Sequence, residues 1–350
     1  MKLLIITQKI DENDDVLGFF TEWVRKLAEK AERISVVCLY KGEHHLPDNV
    51  KIFSLGKEES VSRLKYLFKF YTYIWKLKNN YDSVFIHMNP QYVILGAPFW
   101  KMWSKKIILW YASGGVPAML KIADKFTDVA VASTSEGYRI SGDKLVTIGQ
   151  GVDINKFKPD PDHKPQTKKY KIASVGRITP SKDYETLIAA AEIFKKNNRD
   201  FEIEIVGQPA VKNDVWYLEN LKRTIENKNL SPFFRFIGPI ANKDLPSFLQ
   251  SADLFVNMSH TGSLDKAVLE AMAYGLPVLT CNEAFINVLG DYGSLLMFSK
   301  RDAESLAQKI NFIMNMPADK LRILSSNMRK IVVENHGLDG FIDRLFKILK

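Results

Sequence analysis

The stretch that most constrains this chain runs from Ala252 to Cys281, ADLFVNMSHTGSLDKAVLEAMAYGLPVLTC. Asp253 to Met258 is an apolar run with Val and Phe. It is too short for a helix and is bounded by polar residues, which predicts a strand buried on both faces. Ser259-His260-Thr261-Gly262-Ser263 follows as a turn. From Lys266 the spacing becomes helical, with Val268, Leu269, Met272 and Ala273 apolar. Gly275 and Pro277 stop that helix as a left-handed cap followed by a breaker. Val278 to Cys281 is the next strand. A buried parallel strand that feeds a loop and then a helix N-terminus is where open α/β sheets take phosphate, since loop N–H groups and helix dipole both favour an anion. Glu270, about one turn into the helix, reaches past that loop.

The same alternation extends through the chain. Leu3–Thr7 predicts a first strand, Lys9 to Val16 a polar loop, and Gly18 opens a helix through Phe19, Trp23, Val24 and Leu27. Strands are predicted at Ile34–Leu39, Val50–Phe53, Ser83–Ile86, Ile107–Tyr111, Val129–Ala132 and Leu145–Ile148. Lys156 to Lys171, KFKPDPDHKPQTKKYK, is proline-rich, charged and without apolar period, and reads as a linker. The alternation then restarts, with strands at Ile172–Val175, Phe201–Val206 and Phe234–Ile237 and helices at Asp183–Phe194, Val215–Glu226 and Asp244–Gln250. A last helix from Leu338 to Lys350 carries Phe341, Ile342, Leu345, Phe346 and Leu349 as one apolar stripe. Strand–helix alternation implies right-handed crossovers and mostly parallel sheets. At 350 residues the chain exceeds a usual single core, so two Rossmann-like domains are expected, residues 1–160 and 168–335.

Charge and cysteines narrow the partners. The formal charge of +9 favours anions such as phosphorylated ligands, anionic lipid or nucleic acid. RLKYLFKFYTYIWKLK, from Arg63 to Lys78, has Arg63, Lys65, Lys69, Lys76 and Lys78 among aromatics and no acidic residue. A second cluster is Trp100, Lys101, Trp103, Lys105 and Lys106. Rings and cations on one helix suit an anionic bilayer interface. The plainer reading is a core helix with a solvated basic edge. Cys38 and Cys281, the two cysteines, both fall in predicted strands, which fits reduced core residues and a cytoplasmic protein. The opening apolar stretch is too short for a secretion signal and no segment reaches membrane-spanning length. The chain has neither a G-x-x-x-x-G-K-[ST] loop nor a G-x-G-x-x-G after its first strand, against a nucleoside triphosphatase or a dinucleotide oxidoreductase. Asp160-Pro161-Asp162 is a D-x-D pair in the linker, read as solvated spacer, His44-His45 reads as exposed loop, and no set has zinc-ligand spacing.

Gly176-Arg177-Ile178-Thr179-Pro180-Ser181-Lys182-Asp183, Ile205-Val206-Gly207, Phe236-Ile237-Gly238-Pro239 and Leu269-Glu270-Ala271-Met272-Ala273-Tyr274-Gly275-Leu276-Pro277-Val278, together with Gln150-Gly151-Val152-Asp153, resemble family 4 of the retaining glycosyltransferases. Their order and spacing make the match specific, densely in the second half and thinly in the first. The resemblance implies a GT-B architecture: two Rossmann-like domains with mostly parallel sheets facing across a cleft. The final helix, 338–350, returns to the acceptor domain, and the second domain holds a nucleotide sugar. By the same resemblance Arg177 and Lys182 neutralise the donor diphosphate, the amides around Ser263, Leu264 and Asp265 cradle it, and Glu270 takes the ribose hydroxyls. Gly18, Gly207, Gly238 and Gly262 complete the expected donor site. A cluster of cations, a helix N-terminus and a carboxylate is also what the residues themselves offer a diphosphate and a ribose.

The chain departs from the family pattern at several positions. Gly262 stands where many members have a glutamate that touches the donor sugar, Asp265 and Lys266 replace a glycine and an apolar residue, and Ser113 stands in place of a strand-end histidine. His87, on a neighbouring strand end, is the expected substitute as a catalytic group, with a hydrogen-bonded loop histidine as the plainer reading. The expectation is a metal-independent, retaining hexosyltransferase. It moves sugar from a nucleotide-diphosphate sugar to a glycan or lipid-linked acceptor in cell-envelope polysaccharide or glycolipid synthesis. No cofactor beyond the donor, no metal and no nucleic acid are expected, and the inner face of the cell membrane is an expected docking surface. The alternatives are a sugar-nucleotide epimerase of the same architecture and a non-catalytic nucleotide-sugar-binding protein.

Overall fold

The computed structural model describes residues 1–159, 169–196 and 200–350. They form two compact units. One holds Met1–Gln150, Ala241–Lys243 and Leu338–Lys350, the other Gly151–Ile240 and Asp244–Gly337.

The first unit is built on seven strands: β1 (Lys2–Ile10), β2 (Arg33–Lys41), β3 (Val50–Ser54), β4 (Ser83–His87), β5 (Lys106–Trp110), β6 (Val129–Ala132) and β7 (Leu145–Thr147). They lie in the order β3-β2-β1-β4-β5-β6-β7, every pair parallel. Alternate residues of β1 serve opposite faces. Leu3 and Ile5 join one buried cluster, with Phe20, Trp23 and Leu27 of the helix Gly18–Ala28. Leu4 and Ile6 join the other, with Phe70, Ile74 and Trp100. This two-faced burial is why the strand reads as a continuous apolar run. β1 is longer than the sequence predicts: Lys9 and Ile10 continue the ladder opposite Tyr40 and Lys41 instead of entering the loop, because Ile10 is fully buried.

The helix Leu338–Leu349 completes this unit. Leu338, Phe341, Ile342, Leu345 and Leu349 sit in the same cluster as Trp23 and Trp110. The Phe341 ring lies 4.3 Å from that of Trp23 and 5.6 Å from that of Trp110. Lys26 and Lys30 pair with Asp339 at 3.0 Å and Asp343 at 2.7 Å, and the Ser83 hydroxyl donates to the Leu349 carbonyl at 2.9 Å. Exposed pairs of this kind add little individually, so the apolar stripe is what docks the helix.

The second unit carries, among the described residues, β8 (Tyr170–Val175), β9 (Phe201–Val206), β10 (Phe234–Gly238), β11 (Leu254–Asn257) and β12 (Val278–Thr280), all parallel in the order β10-β9-β8-β11-β12. Helices at Ala303–Met314 and Ala318–Asn335, unassigned from the sequence, close its core with Leu306, Ile310, Leu324, Met328 and Val332 buried. The boundary between units falls at Gln150–Gly151, ahead of the segment expected to link them. Val152 and Phe157 explain the difference, since both are fully buried in the second unit's core. Arg329 also donates to the Phe157 carbonyl at 2.8 Å and to the Ile154 carbonyl at 3.2 Å. Asp160 and Asp162, the D-x-D pair, lie outside the described residues.

No helix among the described residues is long and apolar enough to cross a membrane. Both cysteines are free and buried, and burial pushes each thiol up to about 12.

Candidate functional site

In the second sheet the strand order reverses between β8 and β11, so the loops leaving their carboxyl ends meet at a topological switch point. The loop after β8 carries Gly176 to Asp183 and the loop after β11 carries Met258 to Asp265. They are tied directly: the His260 amide donates to the Ser181 carbonyl at 3.2 Å, and Lys182 Nζ donates to Asp265 Oδ1 at 2.6 Å.

Lys182 and Asp265 are both mostly buried. Burial alone would push the Asp265 carboxyl up, but the Lys182 charge and hydrogen bond, with further hydrogen bonds from Ser259 and Asn257, outweigh it and hold the group below its ordinary range. Arg177 is exposed and has no acceptor among the described residues. Asp265 precedes the helix Lys266–Tyr274, whose C-terminus Gly275 caps in the left-handed conformation at φ +90°. Among the described residues, no protein group accepts from the amides of Ser263, Leu264 and Asp265, three successive donors ahead of a helix N-terminus. One turn further on, Glu270 is 2% exposed and pairs with Lys266.

A buried polar network holds this loop from beneath, and the sequence reading does not find it. Asn257, at the end of β11, donates through Nδ2 to Asp265 Oδ2 at 3.0 Å and accepts through Oδ1 from the Thr280 hydroxyl at 3.1 Å. Thr280 Oγ1 accepts from the Asn282 amide at 3.1 Å, and Asn282 Nδ2 donates to the Ser263 carbonyl at 2.8 Å. These side chains are at most 3% exposed, so each unmade bond would carry a desolvation cost of about 1–3 kcal/mol. The available signal is that Asn257 and Asn282 each follow an apolar strand run with a polar residue that the fold must bury. His260 is a second omission. Its Nε2 lies 3.1 Å from Asp183 Oδ2, outside hydrogen-bonding alignment, while Asp183 adopts φ +48° at the start of the helix Tyr184–Lys195 and accepts from the Thr186 hydroxyl at 2.8 Å.

The glycines of the expected site serve the backbone. Gly207 follows β9 so closely behind the Gly176 turn that a Cβ there would lie 1.9 Å from the Gly176 carbonyl oxygen. Its amide donates to the Gly238 carbonyl at 2.9 Å, which joins the ends of β9 and β10. Gly262 is buried within the loop after β11, and Leu264 anchors that loop in the core at 4% exposure.

Two expected residues belong to the first unit. Gly18 begins the helix Gly18–Ala28, where a Cβ would meet the Glu12 carbonyl oxygen at 3.1 Å. His87 ends β4, 2% exposed, its ring stacked 4.0 Å from that of Phe20 and flanked by Trp23. Burial pushes its imidazole down to about 3. These surroundings pack His87 among aromatic rings and favour its neutral form. Among the described residues Glu12, Glu43 and His45 bring donor atoms within 4.8 Å of one another. Glu12 and His45 bond each other at 2.7 Å, Glu43 accepts from Asn13 at 2.6 Å, and Arg25 lies 3.6 Å from Glu12.

The family model described as "Glycosyl transferases group 1" matches residues 155–331. Among curated relatives, the UDP-Gal:alpha-D-GlcNAc-diphosphoundecaprenol alpha-1,3-galactosyltransferase of Escherichia coli is 27% identical over 215 residues, 58% of this chain and 53% of the relative. The mannosylfructose-phosphate synthase of Agrobacterium fabrum is 25% identical over 189 residues, 49% of this chain and 41% of the relative. The chain thus spans about half the length of the curated relatives it matches. Among solved structures, Anabaena Alr3699/HepE in complex with UDP-glucose superposes with a TM-score of 0.81 at 15% identity, covering 100% of this chain and 99% of that one. Sucrose-phosphate synthase from Thermosynechococcus elongatus does so with a TM-score of 0.81 at 16% identity, covering 99% and 98%. These likenesses extend the GT-B fold class over the whole chain, and the family match covers half of it, so the chain belongs to the group 1 glycosyl transferases.

Proposed function

We propose that this protein is a retaining, metal-independent glycosyltransferase that takes a nucleotide-diphosphate sugar in its second unit. The sugar passes to a glycan or lipid-linked acceptor of the cell envelope. The observation that carries the reading is the switch-point cluster: Lys182 and Arg177 on one loop, three amides on the next that have no protein acceptor among the described residues, and Glu270 one turn further on. Cations and oriented amides are what a departing diphosphate needs as negative charge builds on its bridging oxygen. A buried carboxylate is what a ribose diol donates to. Support for the acceptor class comes from the E. coli relative, whose name specifies a diphosphoundecaprenol-linked acceptor, and from a matching relative of amylovoran biosynthesis in Erwinia amylovora. Incubation with a panel of radiolabelled nucleotide sugars and a lipid and glycan extract tests the reading. Label moving to an acceptor with the anomeric configuration kept is the expected result. Interconversion of the sugar without transfer would mark an epimerase, and binding alone a non-catalytic protein.

The proposed acceptor class agrees with a surface of the first unit. On the helix Arg63–Lys76, Phe70 and Ile74 face the core while Leu64, Phe68 and Trp75 are 79%, 75% and 51% exposed beside the exposed Arg63, Lys65 and Lys76. An exposed apolar ridge bordered by cations is complementary to anionic lipid. The second basic cluster contributes less than its sequence implies. Trp100 is fully buried with Nε1 on the Tyr81 hydroxyl at 3.2 Å, Lys105 and Lys106 donate to the Tyr81 and Ile348 carbonyls, and Lys101 pairs with Asp128. The protein is expected to pellet with anionic vesicles, to release at high salt, and to lose binding when Lys65 and Lys76 become glutamate. Equal binding to neutral vesicles would count against this surface.

A further inference from the structure

Two ion pairs occupy the proposed donor site, and each joins a residue assigned to the donor with one of a pair of neighbours, Asp265 and Lys266, that depart from the family pattern. Asp265 places a carboxylate oxygen 2.6 Å from Lys182 Nζ, the contact that a diphosphate oxygen would make. Lys266 donates to Glu270 Oε1, the contact that a ribose hydroxyl would make. The match in hydrogen-bond polarity is complete. Lys182 is offered an anionic acceptor and Glu270 a donor, as the phosphate and the sugar of a nucleotide would offer them.

We propose that Asp265 and Lys266 are internal stand-ins for the nucleotide, so that donor binding is an exchange of ion pairs and nucleotide affinity is held down by the pairs it displaces. The proposal rests on the donor-site reading above and adds to it a specific antagonism. Asp265 is positioned to act this way by its own partners. Asn257 holds its second oxygen at 3.0 Å, so the carboxylate stays in place beside Lys182 whether or not the ammonium turns to a phosphate. The lysine ammonium has three donors. The one directed at Asp265 has to leave it to reach a phosphate, so the pair opens as the nucleotide enters and its loss is the cost that Asp265 sets against a diphosphate. Lys266 acts on the sugar side, and its ammonium also lies 5.7 Å from the Phe157 ring, which gives it a second place to rest when Glu270 turns to a ribose.

Titration calorimetry with UDP, GDP and the corresponding nucleosides tests this. The Asp265→Asn protein is expected to bind the preferred nucleoside diphosphate about tenfold more tightly than the wild type, the free-energy equivalent of one displaced partly buried contact, with nucleoside affinity unchanged. The gain should vanish in the Lys182→Ala background, because the antagonism runs through that ammonium. Lys266→Leu should tighten nucleoside and nucleoside diphosphate alike. If Asp265→Asn fails to fold, Asp265→Ser keeps a residue suited to the helix start and carries the same expectation. Unchanged or weaker diphosphate binding in the folded variant, or a gain that survives removal of Lys182, overturns the proposal. The donor reading is judged separately. If Lys182→Ala and Glu270→Gln leave wild-type nucleotide binding untouched, that reading fails. If they weaken it while Asp265→Asn brings no gain, only the stand-in proposal falls.

Discussion

Arg177→Ala and Lys182→Ala are each expected to lower turnover by about 100- to 1,000-fold, the range found when a single donor to a developing oxyanion is removed. Both side chains are placed on the loop after β8, but their settings differ. Lys182 is mostly buried and tied to Asp265, whereas Arg177 is exposed. Their contacts strengthen as the bond to the leaving phosphate breaks, so the loss should fall on kcat more than on the donor KM. Glu270→Gln should do the reverse. A ribose contact is equally good in ground and transition states, so its loss chiefly raises KM. The structure adds a complication that the sequence does not contain: the Glu270 substitution also leaves the Lys266 ammonium without its carboxylate, so part of the effect will be a rearranged helix start. The wild type should keep its activity in EDTA. Steady-state kinetics across the three variants check the assignment. Wild-type turnover in both basic variants, or loss of activity with the chelator, would show that other groups carry the chemistry.

The largest stability effect is expected from Phe341→Ala. The ring is fully buried between Trp23 and Trp110, and truncating a buried phenylalanine costs about 3–5 kcal/mol when the space cannot collapse. Two tryptophans from β5 and the helix Gly18–Ala28 leave little freedom for that collapse. The change should therefore loosen the C-terminal helix and lower the unfolding midpoint of the first unit. Intrinsic fluorescence is a selective readout. Of the six tryptophans, Trp23, Trp75, Trp100, Trp103 and Trp110 lie in the first unit, and Trp216 in the second is 70% exposed. An unchanged fluorescence transition in Phe341→Ala would mean that the helix is held by its polar contacts instead.

Much of this architecture was legible in the residues themselves. Strand positions in both units follow from short apolar runs bounded by turn residues, and parallel pairing follows from their alternation with helices. The stripe from Phe341 to Leu349 shows that the last helix must be buried, because its apolar face has period and length enough to be unstable in water. Elements that read less clearly were those whose burial is decided from outside. Ile10 looks like the start of a polar loop and is core only because β2 runs beside it to Lys41. Trp100 looks like part of an interfacial cluster and is core because Tyr81 receives its N–H.

The loop and helix at Ser259–Tyr274 were likewise determined by local sequence, through a buried strand, a glycine turn and a capped helix, and so were the residue types at Arg177, Lys182 and Glu270. What only the tertiary structure decided is how those groups are poised. Lys182 and Asp265 are 83 residues apart in the chain and 2.6 Å apart in space, since β8 and β11 are neighbours at the point where the strand order reverses. Asn257, Thr280 and Asn282 became a single network by the same adjacency of β11 with β12. His87, chosen in sequence for its place at a strand end, is stacked on Phe20, a contact that the sequence does not show. Periodicity and turn chemistry act within a few residues and can be read along the chain. Ion pairing, desolvation and ring stacking act between residues that only the sheet order brings together.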